Sequence, residues 1–104
     1  MADAVLVRAR ATADGRAVVR LLMAHEMETG LRQDASGQRV PAWYITEVVV
    51  TLAGQPVLQA QWGTAVSKNP SLQFTLRDVQ PGDRLQVAWL DNRGRRGTGE
   101  GVVA

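Results

Sequence analysis

His25, Glu26, Glu28 and Asp34 lie close together in the chain and are the first residues with the means to do chemistry. An imidazole near carboxylates is the raw material of acid–base catalysis, provided that a carboxylate or carbonyl orients the ring. The chain holds one histidine and no cysteine. The common zinc sites draw several ligands from those two residue types, so none can form within a single chain. Thiolate nucleophiles and disulfide frameworks are excluded by the same count. The cluster therefore reads as a polar strand end or loop whose histidine makes a structural hydrogen bond, with catalysis as the lesser reading.

Other candidates are weaker. Arg93, Arg95 and Arg96 surround Gly94 in NRGRRG. They form either an anion contact or a solvated hairpin turn, and the turn is the simpler reading. Interleaved aromatics for base stacking are missing, because Tyr44, Phe74 and three tryptophans are the whole stock. Trp43, Trp62 and Trp89 fall in or beside predicted strands. Exposed, they would make a carbohydrate platform; buried, they are core or interface. Ser36, Ser67 and Ser71 sit in turns without a nucleophile elbow. GTGEG near the end lacks a strand before it and a helix after it.

The elements that must position these residues are short strands. Ala4 to Ala11 alternates with period two: Leu6, Arg8 and Arg10 face one way, Val5, Val7, Ala9 and Ala11 the other. Arg16 to Thr29 is ambiguous. It is rich in helix formers, with Asp14 as a cap and Gly30 as a stop; the competing reading is a strand from Ala17 to Met23 or His25. Residues 30 to 42 read as a long loop or a hairpin built around Asp34-Ala35-Ser36-Gly37. Trp43 to Leu52 is the clearest strand, dense in β-branched and aromatic residues. Val57 to Trp62 returns, Leu72, Phe74 and Leu76 alternate with polar residues, and so do Leu85, Val87 and Trp89. A last strand is expected in the glycine-rich tail. Six or seven strands, with turn signals every 8–12 residues or so, predict a two-sheet sandwich.

Size and charge agree. A chain of 104 residues and 11.3 kDa should keep roughly 5,700 Å² of surface out of about 16,000 Å² unfolded, enough for one core but not two. One domain spanning residues 1–104 is expected. The net charge is +2 although the pI is 9.9. Lys68 is the only lysine, and a small excess carried by arginine titrates only at very high pH. Near neutrality argues against nucleic acid as a partner. No run approaches a membrane span, and the first residues show no export signal.

From His25 to Pro41 the sequence HEMETGLRQDASGQRVP resembles the SoxZ family. The carrying residues are His25, Met27, Glu28, Gly30, Arg32, Asp34, Gly37 and Pro41, continued by Ile45, Gly54, Asn69-Pro70, Phe74, Trp89-Leu90-Asp91 and Gly94. Thr46 and Val48 stand where the family usually shows Asn and Phe, and the tail is unusually glycine-rich.

The resemblance implies an all-β, immunoglobulin-like sandwich of about seven strands, with Arg16 to Met23 as a strand. It implies no enzymatic activity, cofactor or metal in this chain. The implied partner is SoxY, whose C-terminal arm carries sulfur on a glycine-flanked cysteine during thiosulfate oxidation in the periplasm. Co-export on a signal-bearing SoxY is expected, with a homodimer possible in isolation and no nucleic acid or membrane contact. His25, Met27, Glu28, Arg32 and Asp34, with Asn69 and Pro70 shaping a loop, are the implied partner-binding or motif residues. Arg32 with Asp34 also reads as a structural pair. Val48, Val50 and Leu52, or else Trp43 and Ile45, are expected to offer an outward apolar patch for the partner. The alternative is a free-standing immunoglobulin-like module that binds sugar or peptide.

Overall fold

The computed structural model describes residues 5–104. Seven strands form: β1 (Val5–Ala11), β2 (Arg16–Met23), β3 (Ile45–Leu52), β4 (Gln55–Gln61), β5 (Ser71–Arg77), β6 (Arg84–Asp91) and β7 (Arg96–Val102). They build a three-stranded sheet, β1-β2-β5, packed on a four-stranded sheet, β4-β3-β6-β7. Every strand-to-strand ladder is antiparallel. Period-two patterning explains the layering. Ala17, Val19, Leu21 and Met23 of β2 are fully buried against Val48, Val50, Leu85, Val87 and Trp89 of the facing sheet, while Arg16, Arg20 and Leu22 point outward.

Of the two readings open over Arg16 to Thr29, the helix is not formed and the strand is, over Arg16–Met23 as the resemblance implies. β2 is the central strand of its sheet, paired with β1 on one side and β5 on the other. Both its backbone edges are hydrogen-bonded and its alternate side chains fill the core, and this tertiary pairing outweighs the modest helical preference of Leu, Met and Ala.

The expected apolar patch on β3 is also overturned. Ile45, Val48 and Val50 are all fully buried. A bulge between Ile45 and Glu47 shifts the register against β6. The extra residue lets an odd-numbered and two even-numbered side chains point the same way, which strict alternation forbids. Leu52 and Trp43 are only half-buried, and both lean on the core side of the fold rather than forming an outer patch.

The glycine-rich tail has a packing reason. β7 closes onto β1: Ala9 bridges Val103, the Ala11 amide donates to the Ala104 carbonyl at 2.9 Å, and the Ala104 amide donates to the Ala9 carbonyl at 3.0 Å. A Cβ on Gly99 would overlap the Val5 carbonyl, and one on Gly101 would lie 2.6 Å from Val7 Cγ1. Glycine lets the two backbones approach, and the contact covers an edge of the three-stranded sheet.

One end of the sandwich gathers the end of β2, the start of β3, the start of β5 and the end of β6. The long connection from residue 24 to 44 leaves and returns there.

Candidate functional site

At that end, β6 continues its inward alternation one step past Trp89 and places Asp91 inside the fold, 3% exposed. A buried carboxylate needs several donors, and Asp91 has four. His25 Nε2 donates to Oδ2 at 3.0 Å and Trp43 Nε1 donates to Oδ2 at 2.7 Å. The Arg93 and Arg95 amides each donate to Oδ1 at 2.9 Å. Burial pushes the Asp91 carboxyl upward, but the bonds from His25, Trp43 and the Arg95 and Arg93 amides outweigh it and hold the carboxyl below its ordinary range.

His25 is held equally firmly. The Met27 amide donates to Nδ1 at 3.1 Å, so Nδ1 accepts and the proton sits on Nε2. Trp43 and Trp89 meet the imidazole edge-on, with ring centroids 5.0 and 5.1 Å away. Outside, the Arg93 guanidinium lies 4.4 Å above the Trp43 ring and that of Arg95 lies 5.6 Å away. The three arginines of NRGRRG thus part company. Arg93 and Arg95 close the turn over Trp43, while Arg96 begins β7.

The same node fixes the backbone of the long connection. Asn69, with φ of 50°, accepts from the His25 amide through Oδ1 at 3.0 Å and donates its own amide to the His25 carbonyl at 2.9 Å. Pro70 is buried, and its carbonyl accepts from the Met23 amide at 3.0 Å. Met27 is buried at φ of 51°, and its sulfur accepts from the Ile45 amide at 3.3 Å. Beyond it, Glu28 and Trp43 exchange backbone bonds of 2.7 and 3.0 Å. A narrow hairpin then projects, with bonds from Val40 to Arg32 and from Asp34 to Gln38, both 2.8 Å. Residues 31–39 are exposed throughout, and Leu31 is 74% exposed.

The predicted site residues thus separate into an anchor and a projection. His25, Met27, Asn69 and Pro70 belong to the anchor. Arg32 pairs with Glu28 rather than with Asp34, through Nε to Oε1 at 3.0 Å and Nη2 to Oε2 at 2.8 Å. Arg32 holds the Glu28 carboxyl below its ordinary range, and Glu28 raises the Arg32 guanidinium. Asp34 is occupied at the hairpin tip: Oδ1 accepts from the Ser36 hydroxyl and from the Ser36 and Gln38 amides, which lowers its carboxyl too. Asp34 serves the turn and leaves Arg32 to the residue four positions earlier.

The arrangement resembles the orienting half of a hydrolytic triad but lacks its working features. Both nitrogens of His25 are engaged, and the side chains of His25 and Asp91 are 2% and 0% exposed. No lone pair remains to accept a proton from a substrate. Glu26 points elsewhere, to Lys68 at 3.5 Å. Among the described residues, no group of three or more His, Asp or Glu could hold a metal ion. The tryptophans form no platform, since Trp89 is 2% exposed and Trp43 and Trp62 are half-buried.

The sequence offers Asp91, Trp43 and the Arg93–Arg95 turn as separate features; what it does not reveal is that Asp91 is the hub joining them to His25. One signal was available: Leu85, Val87, Trp89 and Asp91 share one parity, so Asp91 faces inward and requires a buried donor. The chain's single histidine is the natural one.

The two sheets define an immunoglobulin-like β-sandwich. Over 97% of its length, the chain superposes on a superoxide reductase (neelaredoxin) from Ignicoccus hospitalis, covering 78% of that chain with a TM-score of 0.65 and 14% identity. It also superposes on a hypothetical protein from Pyrococcus horikoshii, covering 97% of this chain and 88% of that one, with a TM-score of 0.63 and 10% identity. At such identities the likeness concerns the fold alone. No curated protein matches the sequence. The model of the sulphur oxidation protein SoxZ matches residues 6–101. The chain belongs to the SoxZ family of sulphur oxidation proteins.

Proposed function

We propose that this chain is the non-catalytic subunit of a periplasmic sulfur carrier. It pairs with a SoxY-like protein whose C-terminal cysteine holds the sulfur intermediates of thiosulfate oxidation. The observation that carries the reading is the family match over residues 6–101. The chemistry of the chain fits the role. It has no cysteine to compete for sulfur, and its one histidine is locked into the anchor. The exposed hairpin from Glu28 to Val40, braced by that anchor, is the recognition element we assign to the partner, with Arg32 facing outward. A solvated loop would not need a buried carboxylate and two aromatic rings to fix its base. Export on a signal-bearing SoxY accounts for a periplasmic site of action.

Co-expression with a SoxY from the same gene cluster tests the reading. A stoichiometric complex that accepts sulfur on the SoxY cysteine is expected. Two folded chains that fail to associate would overturn it.

A further inference from the structure

The outer face of the β1-β2-β5 sheet carries charge of one sign. Arg8 stands directly opposite Arg20, and Arg16 opposite Arg77, with Arg10 one step further along β1. All five arginines are exposed. The remaining outward residues of these strands are Leu6, Val18, Leu22, Ser71, Gln73 and Thr75, none of them acidic. Among the described residues none of the five makes an ion pair. Arg20 instead donates to Gln73 Oε1 at 3.2 and 2.9 Å.

Like charges directly opposite on neighbouring strands destabilise a sheet, and two such pairs occur here with no carboxylate between them. The other sheet contrasts. Its outer face mixes Glu47 and Glu100 with Arg84 and Arg96, and Arg84 lies 3.9 Å from Glu100. Five arginines on one face exceed the net charge of +2, so the rest of the chain is net acidic. The near-neutral total conceals a face of one sign, and such a face orients an oppositely charged partner as it approaches.

We propose that this face docks a carboxylate-bearing surface of a folded partner protein. The guanidinium fork matches carboxylates in bidentate fashion. Nucleic acid shares that attraction, but the face has no aromatic residue for stacking, and a three-stranded sheet is broader than the helix or two-stranded ribbon that the major groove admits. Leu6 and Leu22, 49% and 47% exposed and paired across the strands, add an apolar corner. Arginine beside apolar area, with lysine absent, is the composition of a protein interface. Strands of seven, eight and seven residues span roughly 14 by 25 Å, the scale of a transient contact rather than a permanent one.

The test is a titration of the isotope-labelled full-length chain with poly-L-glutamate, followed by backbone amide shifts. Shifts confined to β1, β2 and β5 are expected, with an affinity that falls as salt rises. The double variant Arg8→Gln/Arg20→Gln should weaken binding about tenfold, while Arg84→Gln/Arg96→Gln, which removes the same charge from the other sheet, changes it less than about twofold. Should the first variant unfold, Arg10→Gln/Arg77→Gln makes the same comparison. Equal weakening by both kinds of variant, or shifts spread over both sheets, would show attraction by net charge alone and overturn the proposal. Tighter binding of a single-stranded oligonucleotide of equal charge would overturn it as well, by assigning the face to nucleic acid.

Discussion

His25 and Asp91 stand 66 positions apart and meet through one 3.0 Å hydrogen bond between buried side chains. His25 opens the long connection after β2, and Asp91 closes β6. Their bond ties the base of the projecting hairpin to the facing sheet. Because Asp91 also accepts from Trp43 at the far end of that connection, one carboxylate clamps both feet of the hairpin.

Asp91→Ala is expected to cost about 3–5 kcal/mol, because it strands four donors at once, the His25 ring buried and the other three part-buried. Asp91→Asn keeps the volume and one acceptor oxygen and should cost about 1.5–3 kcal/mol. Urea unfolding of both variants gives the comparison. Equal and small losses would mean that the donors find water and that the clamp is not structural.

Acid should release the clamp. Despite its burial, the Asp91 carboxyl is held low by its hydrogen bonds, so the unfolded chain takes up the proton first as pH falls. Stability is therefore fully present above the unfolded value, about pH 4, and is lost as pH drops through the lower folded value. Glu28 and Asp34 are lowered as well, but solvent screens them. Unfolding midpoints between neutral and strongly acid pH should fall for the wild type and flatten for Asp91→Asn. Glu28→Gln and Asp34→Asn should keep most of the slope. An unchanged acid slope in Asp91→Asn would assign acid sensitivity to other carboxylates.

Gly99→Ala should destabilise by about 3 kcal/mol or more, beyond ordinary overpacking, because the new methyl meets β1 backbone rather than a flexible side chain. Gly63→Ala, with open space around it and no positive φ, is expected to be close to neutral. Thermal unfolding of the two variants separates tail packing from a general intolerance of alanine. The glycine-rich tail is then a fitted seam.

Most strands were legible because their side chains alternate, as in Leu72, Phe74 and Leu76. The illegible parts each involve a long-range partner. β2 is ambiguous between helix and strand on local preference alone, and its pairing with β1 and β5 decides for strand. The bulge at Ile45 broke the parity on which facing was judged, so Val48 and Ile45 looked like alternatives although both are core. His25 was noticed for its nearby acids, yet its true partner lies in a strand near the other end of the chain. The carboxylates beside it in sequence turn to Arg32, Ser36 and Lys68 instead.

Arg32→Ala addresses the role of the projection. The Arg32–Glu28 pair is exposed on the arginine side, with side-chain exposures of 58% and 15%, and exposed pairs of this kind add little to stability. The melting temperature of the variant should therefore match that of the wild type. Turnover is expected to differ. If the hairpin positions the sulfur-bearing arm, thiosulfate-dependent sulfur loading on the SoxY cysteine should slow, and Arg32→Lys should recover only part of the rate, because a point charge does not replace the guanidinium fork. Full turnover in an assembled Arg32→Ala complex would return the hairpin to a structural role and move the search for the arm's contacts to another face.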